Sequence, residues 1–149
     1  MCAPIRSLTV MAVILALFSS GLSQAKQPTP EERAYKFRTS LFQTFAWKLG
    51  QLAQAKGRDD QSAFTQHAKD LVYLSTMTDE GFSIENSIPE GSKAKPEIWQ
   101  DSDGFSDKAA NLKALSEGLL ESQAMADFDP RKFGSKACGS CHREYKVKD

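Results

Sequence analysis

From Tyr35 onward, apolar residues recur at Leu41, Phe42, Phe45, Leu49 and Leu52. The steps are mostly three, four or seven, which places these side chains on one face of a helix. The start is marked just upstream. Thr29 can cap, Pro30 suits the first helical position, and Glu32 stands where a capping box needs a carboxylate. Lys56-Gly57 marks the end, with a cation in the last turn and a glycine stop. Asp59 or Asp60 can cap a second helix, whose face carries Phe64, Ala68, Leu71, Val72 and Ser75 and which should fade by Thr78. Residues 79–101 hold Pro89, Gly91 and Pro96 and keep no period, so they predict a long loop that wraps a site. A third helix is expected from Ser102 or Asp103 to Met125, striped by Phe105, Ala109, Leu112, Leu115, Leu119 and Leu120. Asp129-Pro130 is a cap followed by Pro at the first helical position, opening a fourth helix to about Lys146. No period-2 segment or strand-turn signal competes. Four amphipathic helices with short connections at two of three joints predict an all-α, antiparallel four-helix bundle.

Residues 1–25 do not belong to this pattern. Arg6 supplies a positive start, Leu8–Phe18 is apolar except for Thr9, and Ser23-Gln24-Ala25 offers small residues at a cleavage point. The apolar run falls short of the about 20 residues a membrane-spanning helix needs. It predicts a secretory signal peptide cut after Ala25, leaving residues 26–149 as the mature domain. Export would put that domain in the periplasm, with no second apolar run to hold it in a membrane.

Cleavage changes the remaining arithmetic. The whole chain has 19 basic and 19 acidic residues. Arg6 is the only charged residue in the leader, so the mature domain carries 18 basic against 19 acidic side chains. That balance argues against a general nucleic-acid binder. Cys2 leaves with the leader, so Cys138 and Cys141 remain as a pair in an oxidising compartment.

These two belong to Cys138-Gly139-Ser140-Cys141-His142, a C-x-x-C-H motif. Two thiols three positions apart can each add to one vinyl group of a haem, and the adjacent His can then take the iron from one side. Covalent attachment also retains a cofactor that an exported protein would otherwise lose. A thioredoxin-type disulfide between the same cysteines would want a βαβ context, and zinc would want four ligands with His67 as the only other histidine. A second strong ligand on the iron would have to be His67, Met77 or Met125, giving a low-spin, six-coordinate electron carrier. A peroxidase-like enzyme would want a polar distal acid–base residue, which helix one does not offer beside Phe42. No nucleophile–base signature or phosphate loop appears, so a non-enzyme is expected.

The chain resembles the class II cytochromes c of the cytochrome c′ type. The resemblance rests on the C-x-x-C-H of the last helix, on Tyr35-Lys36-Phe37-Arg38 followed by Trp47-Lys48-Leu49-Gly50, and on Lys95-Pro96-Glu97-Ile98-Trp99 before the third helix. It spans essentially residues 28–148. It implies one haem c joined to Cys138 and Cys141, with His142 as the axial ligand. It implies that Arg38 meets a haem propionate, with Thr39 beside it and Phe42 packed over the open iron face. Lys146 takes the position of a proximal Arg, four residues after His142 and on the same side of the helix. Lys95 and Glu97 are expected near the haem edge. The implied function is NO and CO binding at a five-coordinate, high-spin iron, together with electron transfer to a partner protein not named by the sequence. An apolar distal face gives polar bound O₂ no hydrogen bond and so favours NO and CO. Phe42 would act as a steric gate. The family commonly pairs as a homodimer, and Phe37 and Trp47 leave helix one with apolar surface to spare. Each residue also has a plainer interpretation. Phe42, Trp47 and Trp99 could be packing alone, and Arg38 could be a solvated helix charge.

Overall fold

The computed structural model describes residues 26–148; the signal peptide expected at residues 1–25 lies outside them. Helix α1 (Pro30–Gly57) opens on the expected capping box. Glu32 N–H donates to Thr29 Oγ1 at 3.2 Å, and Thr29 N–H donates to the Glu32 carboxylate at 2.8 Å. These bonds satisfy backbone donors that a helix start otherwise leaves orphaned. Asp60 caps α2 (Gln61–Ser75) by accepting from Ala63 N–H at 2.9 Å. Between α1 and α2 the chain reverses through Asp59, whose φ of 54° is one that Asp tolerates better than most residues.

The loop that follows holds a 3-10 turn (Asp79–Phe82) and the short helix α3 (Glu97–Gln100). Helix α4 (Ser102–Glu117) then begins on an Asp101 cap. It ends earlier than the stripe predicts. At Gly118 the chain tightens into a 3-10 turn (Gly118–Leu120), followed by the single-turn helix α5 (Ala124–Asp127). Glycine gives up the helix most easily of the non-proline residues, and the turn still buries Leu119 while leaving Leu120 exposed. The fourth helix is also divided, into α6 (Pro130–Ala137) and α7 (Gly139–Tyr145). Cys138 keeps helical dihedrals, donates to the Gly134 carbonyl at 2.9 Å and accepts from His142 N–H at 3.0 Å. The two pieces therefore continue in one direction.

With α1, α2, α4 and α6–α7 as its four members, the chain forms the expected four-helix bundle. The main core joins Leu41, Phe45 and Leu52 of α1 to Phe64 and Leu71 of α2, Leu112 of α4 and Phe128. A smaller core of Ile98, Phe105 and Tyr145 lies at the loop end of the bundle. Among the described residues the only strand-like pairing is an isolated antiparallel bridge between Ala94 and Lys146. It fastens the loop to the end of α7.

Candidate functional site

A cavity of about 650 Å³ lies between α1, the 79–101 loop, α4 and the α6–α7 pair. Its size is in the range of small-molecule and cofactor pockets. Its walls are mostly apolar, with Phe42, Phe45 and Leu49 on one side and Phe133, Ala137 and Tyr145 on the other. Arg38, Lys93, Lys108 and Lys146 also line it, and no Asp or Glu among the described residues does.

The α1 wall follows from helical spacing. Arg38 and Phe42 stand four residues apart and share a side of the helix. Phe42 is half-buried, with its ring 6.2 Å from Phe45 and 6.3 Å from Phe82. Thr39 lines the cavity beside it. Arg38 is not a solvated charge, being only 4 % exposed. Its guanidinium donates to the Gly81 carbonyl at 3.3 Å, to Ser87 Oγ at 2.7 Å and to Ser92 Oγ at 3.1 Å, and it also donates to the Ser87 carbonyl. Its carbon centre lies 5.1 Å from the Phe82 ring centroid and 5.3 Å from that of Tyr35. Burial pulls its pKa down, with Tyr35 opposing, yet an arginine stays charged.

Opposite stand Cys138, Cys141 and His142, all in the cavity wall. The two cysteines are free and partly buried. Burial raises both thiols, and with Glu144 adding to the effect Cys141 is pushed up to about 11. Partial desolvation, and then the Lys146 charge, lowers the pKa of His142. That favours the neutral imidazole, the form that ligates a metal. Lys146 also lines the cavity, and its backbone N–H bonds the His142 carbonyl at 3.2 Å.

Two groups expected near the haem edge are not among the cavity-lining residues. Lys95 extends its amine to the Glu144 carbonyl at 2.8 Å, while its backbone N–H bonds the Tyr145 carbonyl. Glu97 is exposed at the first position of α3. Neither lines the cavity, and Lys93 does so in their place. Lys93 and Ala94 both line the cavity, while the Lys95 amine is held on the α7 backbone. Tyr145 is another lining residue that the motif alone did not name, although its place three residues after His142 puts it on the same side of the helix. The alternative sixth ligands are not part of the cavity wall. His67 sits on the outer side of α2, with Nδ1 3.4 Å from Lys48 Nζ and its ring edge-on to Trp47. Met77 and Met125 pack against the main core, and none of the three lines the cavity.

These features suit a haem. A buried guanidinium faces no carboxylate among the described residues, and propionates would supply the missing negative charge. Thr78 Oγ1 is buried in the wall without a hydrogen-bond partner. Two thiols and a neutral imidazole share one wall of a cavity that is otherwise apolar.

Comparison with known proteins decides the family. The family model described as Cytochrome C′ matches residues 33–146. The chain belongs to the cytochrome c′ family. A cytochrome c′ from Cereibacter sphaeroides is 31 % identical, with 91 % of this chain and 97 % of that protein covered. A solved cytochrome c′ from Rhodobacter sphaeroides superposes with a TM-score of 0.66 at 27 % identity, covering 81 % of this chain and all of the other. A ferrous cytochrome c′ variant from Alcaligenes xylosoxidans, with bound NO, gives a TM-score of 0.62 at 26 % identity, covering 83 % and 100 %. The cytochrome c′ family binds haem c. No described helix is long and apolar enough to cross a membrane.

Proposed function

We propose that this chain is a periplasmic haem c protein that binds NO and CO at a five-coordinate, high-spin iron and can pass electrons to a partner protein. Its leader, residues 1–25, is removed on export, and residues 26–149 form the mature domain. The observation that carries the proposal is the asymmetry of the cavity: Cys138, Cys141 and His142 stand on one wall, and Phe42 with no Met or His stands on the other.

A haem, when bound, would be held by Cys138, Cys141 and His142 and would supply an iron able to change charge by one electron and to take a diatomic gas. The chain does the rest. Cys138 and Cys141 would hold the cofactor through thioethers to its two vinyl groups. Arg38, with Ser87 and Ser92 behind it, provides positive charge for a propionate. Phe42 fills the space a gas must enter, so entry requires its ring to move. Lys146 brings a point charge to the proximal side, without the planar fork of an arginine. Phe37 and Trp47, 36 % and 56 % exposed on α1, offer surface for a homodimer. This is ligand binding and electron transfer rather than enzyme turnover.

The visible spectrum of the haem-loaded protein after dithionite reduction is the test. A broad, unsplit spectrum that sharpens with NO or CO is expected. A sharp, split spectrum unchanged by CO would mean an internal sixth ligand, and His67 would be the first residue to replace.

A further inference from the structure

Tyr145 stands at a boundary. It is 4 % exposed, lines the haem cavity and meets Phe105 edge-on at 5.4 Å between ring centroids. It also lines a second, polar pocket with Asp101, Asp107, Ser140 and Glu144. Its hydroxyl donates to Asp101 Oδ2 at 2.5 Å across 44 sequence positions. Asp101 is thereby shared. Its Oδ1 accepts from Gly104 N–H at 3.3 Å and caps α4, while Oδ2 holds the phenol. The contact requires its glycine. A Cβ on Gly104 would lie 2.4 Å from Asp101 Oδ2 and 2.7 Å from Tyr145 Oη.

The pair bears on His142 through helix α7. That helix has seven residues, and Tyr145 is the one it buries. A helix this short has little stability of its own. Its His142 turn is therefore held from outside, by the bond from Tyr145 to Asp101 and by the pairing of residues 93–95 with 145–147. The partner of Tyr145 is a carboxylate behind a cavity that no acid among the described residues lines; Asp107 and Glu144 share its polar pocket, and Glu144 is paired with Lys108 at 2.9 Å. The Asp101 acceptor also raises the phenol above the usual tyrosine range, so the proton stays on Tyr145.

We propose that Asp101 and Tyr145 form a positioning pair for His142, in which Tyr145 fixes the ligand's turn and Asp101 sets the charge behind the proximal face. The proposal rests on the haem reading above. A negative charge near the proximal face favours the oxidised iron, whose charge is more positive by one, and the phenol's hydrogen bond offsets part of that charge.

The test is a spectroelectrochemical titration of three haem-loaded proteins: wild type, Asp101→Asn and Tyr145→Phe. Asn keeps the α4 cap through Oδ1 but has one acceptor oxygen, so its amide nitrogen donates to the phenol oxygen instead; Asp101→Asn removes the charge and reverses that hydrogen bond while keeping the two side chains in contact. Tyr145→Phe keeps the ring and removes the hydroxyl that offsets the carboxylate. At a fixed applied potential, Asp101→Asn should lower the oxidised-to-reduced ratio by about threefold to tenfold, and Tyr145→Phe should raise it by a smaller factor. A tenfold change corresponds to about 59 mV for a one-electron couple. Opposite directions support the pair. If the two substitutions merely loosened α7, they would move the ratio in the same direction with matching losses of thermal stability, and the proposal would be overturned. Ratios within a factor of two of wild type in both variants would also overturn it. A wild-type protein with no attached haem, or with a split low-spin spectrum, would overturn the haem reading itself, and it would do so before the variants are compared.

Discussion

Helix α1 and the α6–α7 pair face each other across one cavity and hold their site residues by different means. Helix α1 runs 28 residues, closes its own start with a capping box, and buries Leu41, Phe45, Leu52 and Ala55 along its length. Arg38 and Phe42 are placed by that regular frame. Helices α6 and α7 have eight and seven residues and bury Ala137 and Tyr145 alone. Segments so short are marginal helices in water. They are held by the Asp129 cap, by the bond from Tyr145 to Asp101, and by the pairing of residues 93–95 with 145–147. The wall that packs over the ligand side is thus rigid in its own right, and the wall that carries the cofactor chemistry depends on outside support. The covalently attached haem proposed above would be one more such support.

The largest effect should come from removing that support. Cys138→Ala combined with Cys141→Ala should abolish covalent haem retention, seen as loss of haem staining after denaturing electrophoresis. Hydrogen exchange should quicken in α6 and α7 while the middle of α1 stays protected. Equal loosening of both walls would break the contrast drawn between them.

On the α1 side, Arg38→Ala should cost about 2–4 kcal/mol in denaturant unfolding, because it leaves buried acceptors at Gly81 and Ser87 without their donor. The loop should loosen with it, so hydrogen exchange at residues 87–92 should rise more than in α2. A loss under about 0.5 kcal/mol, the usual size for a surface substitution, would return Arg38 to the status of a solvated charge.

Phe42→Ala addresses entry rather than stability. If the ring must move aside at a cost near 1.4 kcal/mol, its removal should speed CO association about tenfold. Flash photolysis of the ferrous CO complex reads this directly. An unchanged rate would leave Phe42 as packing and nothing more.

The same contrast explains what could be seen in the sequence. The first wall was legible because α1 carries its instructions locally: a cap, a stripe and a glycine stop. The cysteines and histidine of the second wall were legible because the motif is local as well. What failed to show was long-range. Leu119 and Leu120 continue the stripe of α4 past Gly118, so spacing alone extends that helix into a region where the chain in fact turns. Ser87 lies 49 positions from Arg38 and Asp101 lies 44 from Tyr145. Neither partner leaves any periodic trace. Lys93 rather than Lys95 lines the cavity because the Lys95 amine is taken up by the Glu144 carbonyl, 49 positions away, which no strand pattern announces.

The smallest effect should lie away from both walls, where α1 meets α2 on the outer surface. Lys48 pairs there with Asp70, with His67 3.8 Å from the same carboxylate oxygen. Burial alone would raise the pKa of Asp70; the hydrogen bond and charge of Lys48, with help from Gln66 and His67, outweigh it and bring the value below the ordinary 3.8. A carboxylate whose folded pKa is depressed contributes stability that is complete above its unfolded value and lost as pH falls through the folded one. The pair's contribution should therefore be full and independent of pH near neutrality, and its loss should add to the steepening of unfolding below about pH 4, where unpaired aspartates take up protons. Asp70→Asn should cost under about 1 kcal/mol at pH 7, as for other solvent-accessible ion pairs, and should flatten that acid limb. Added salt should shrink the difference between variant and wild type. A loss of several kcal/mol would instead mean that α1 depends on α2 for its rigidity, and would weaken the case for a self-supporting wall.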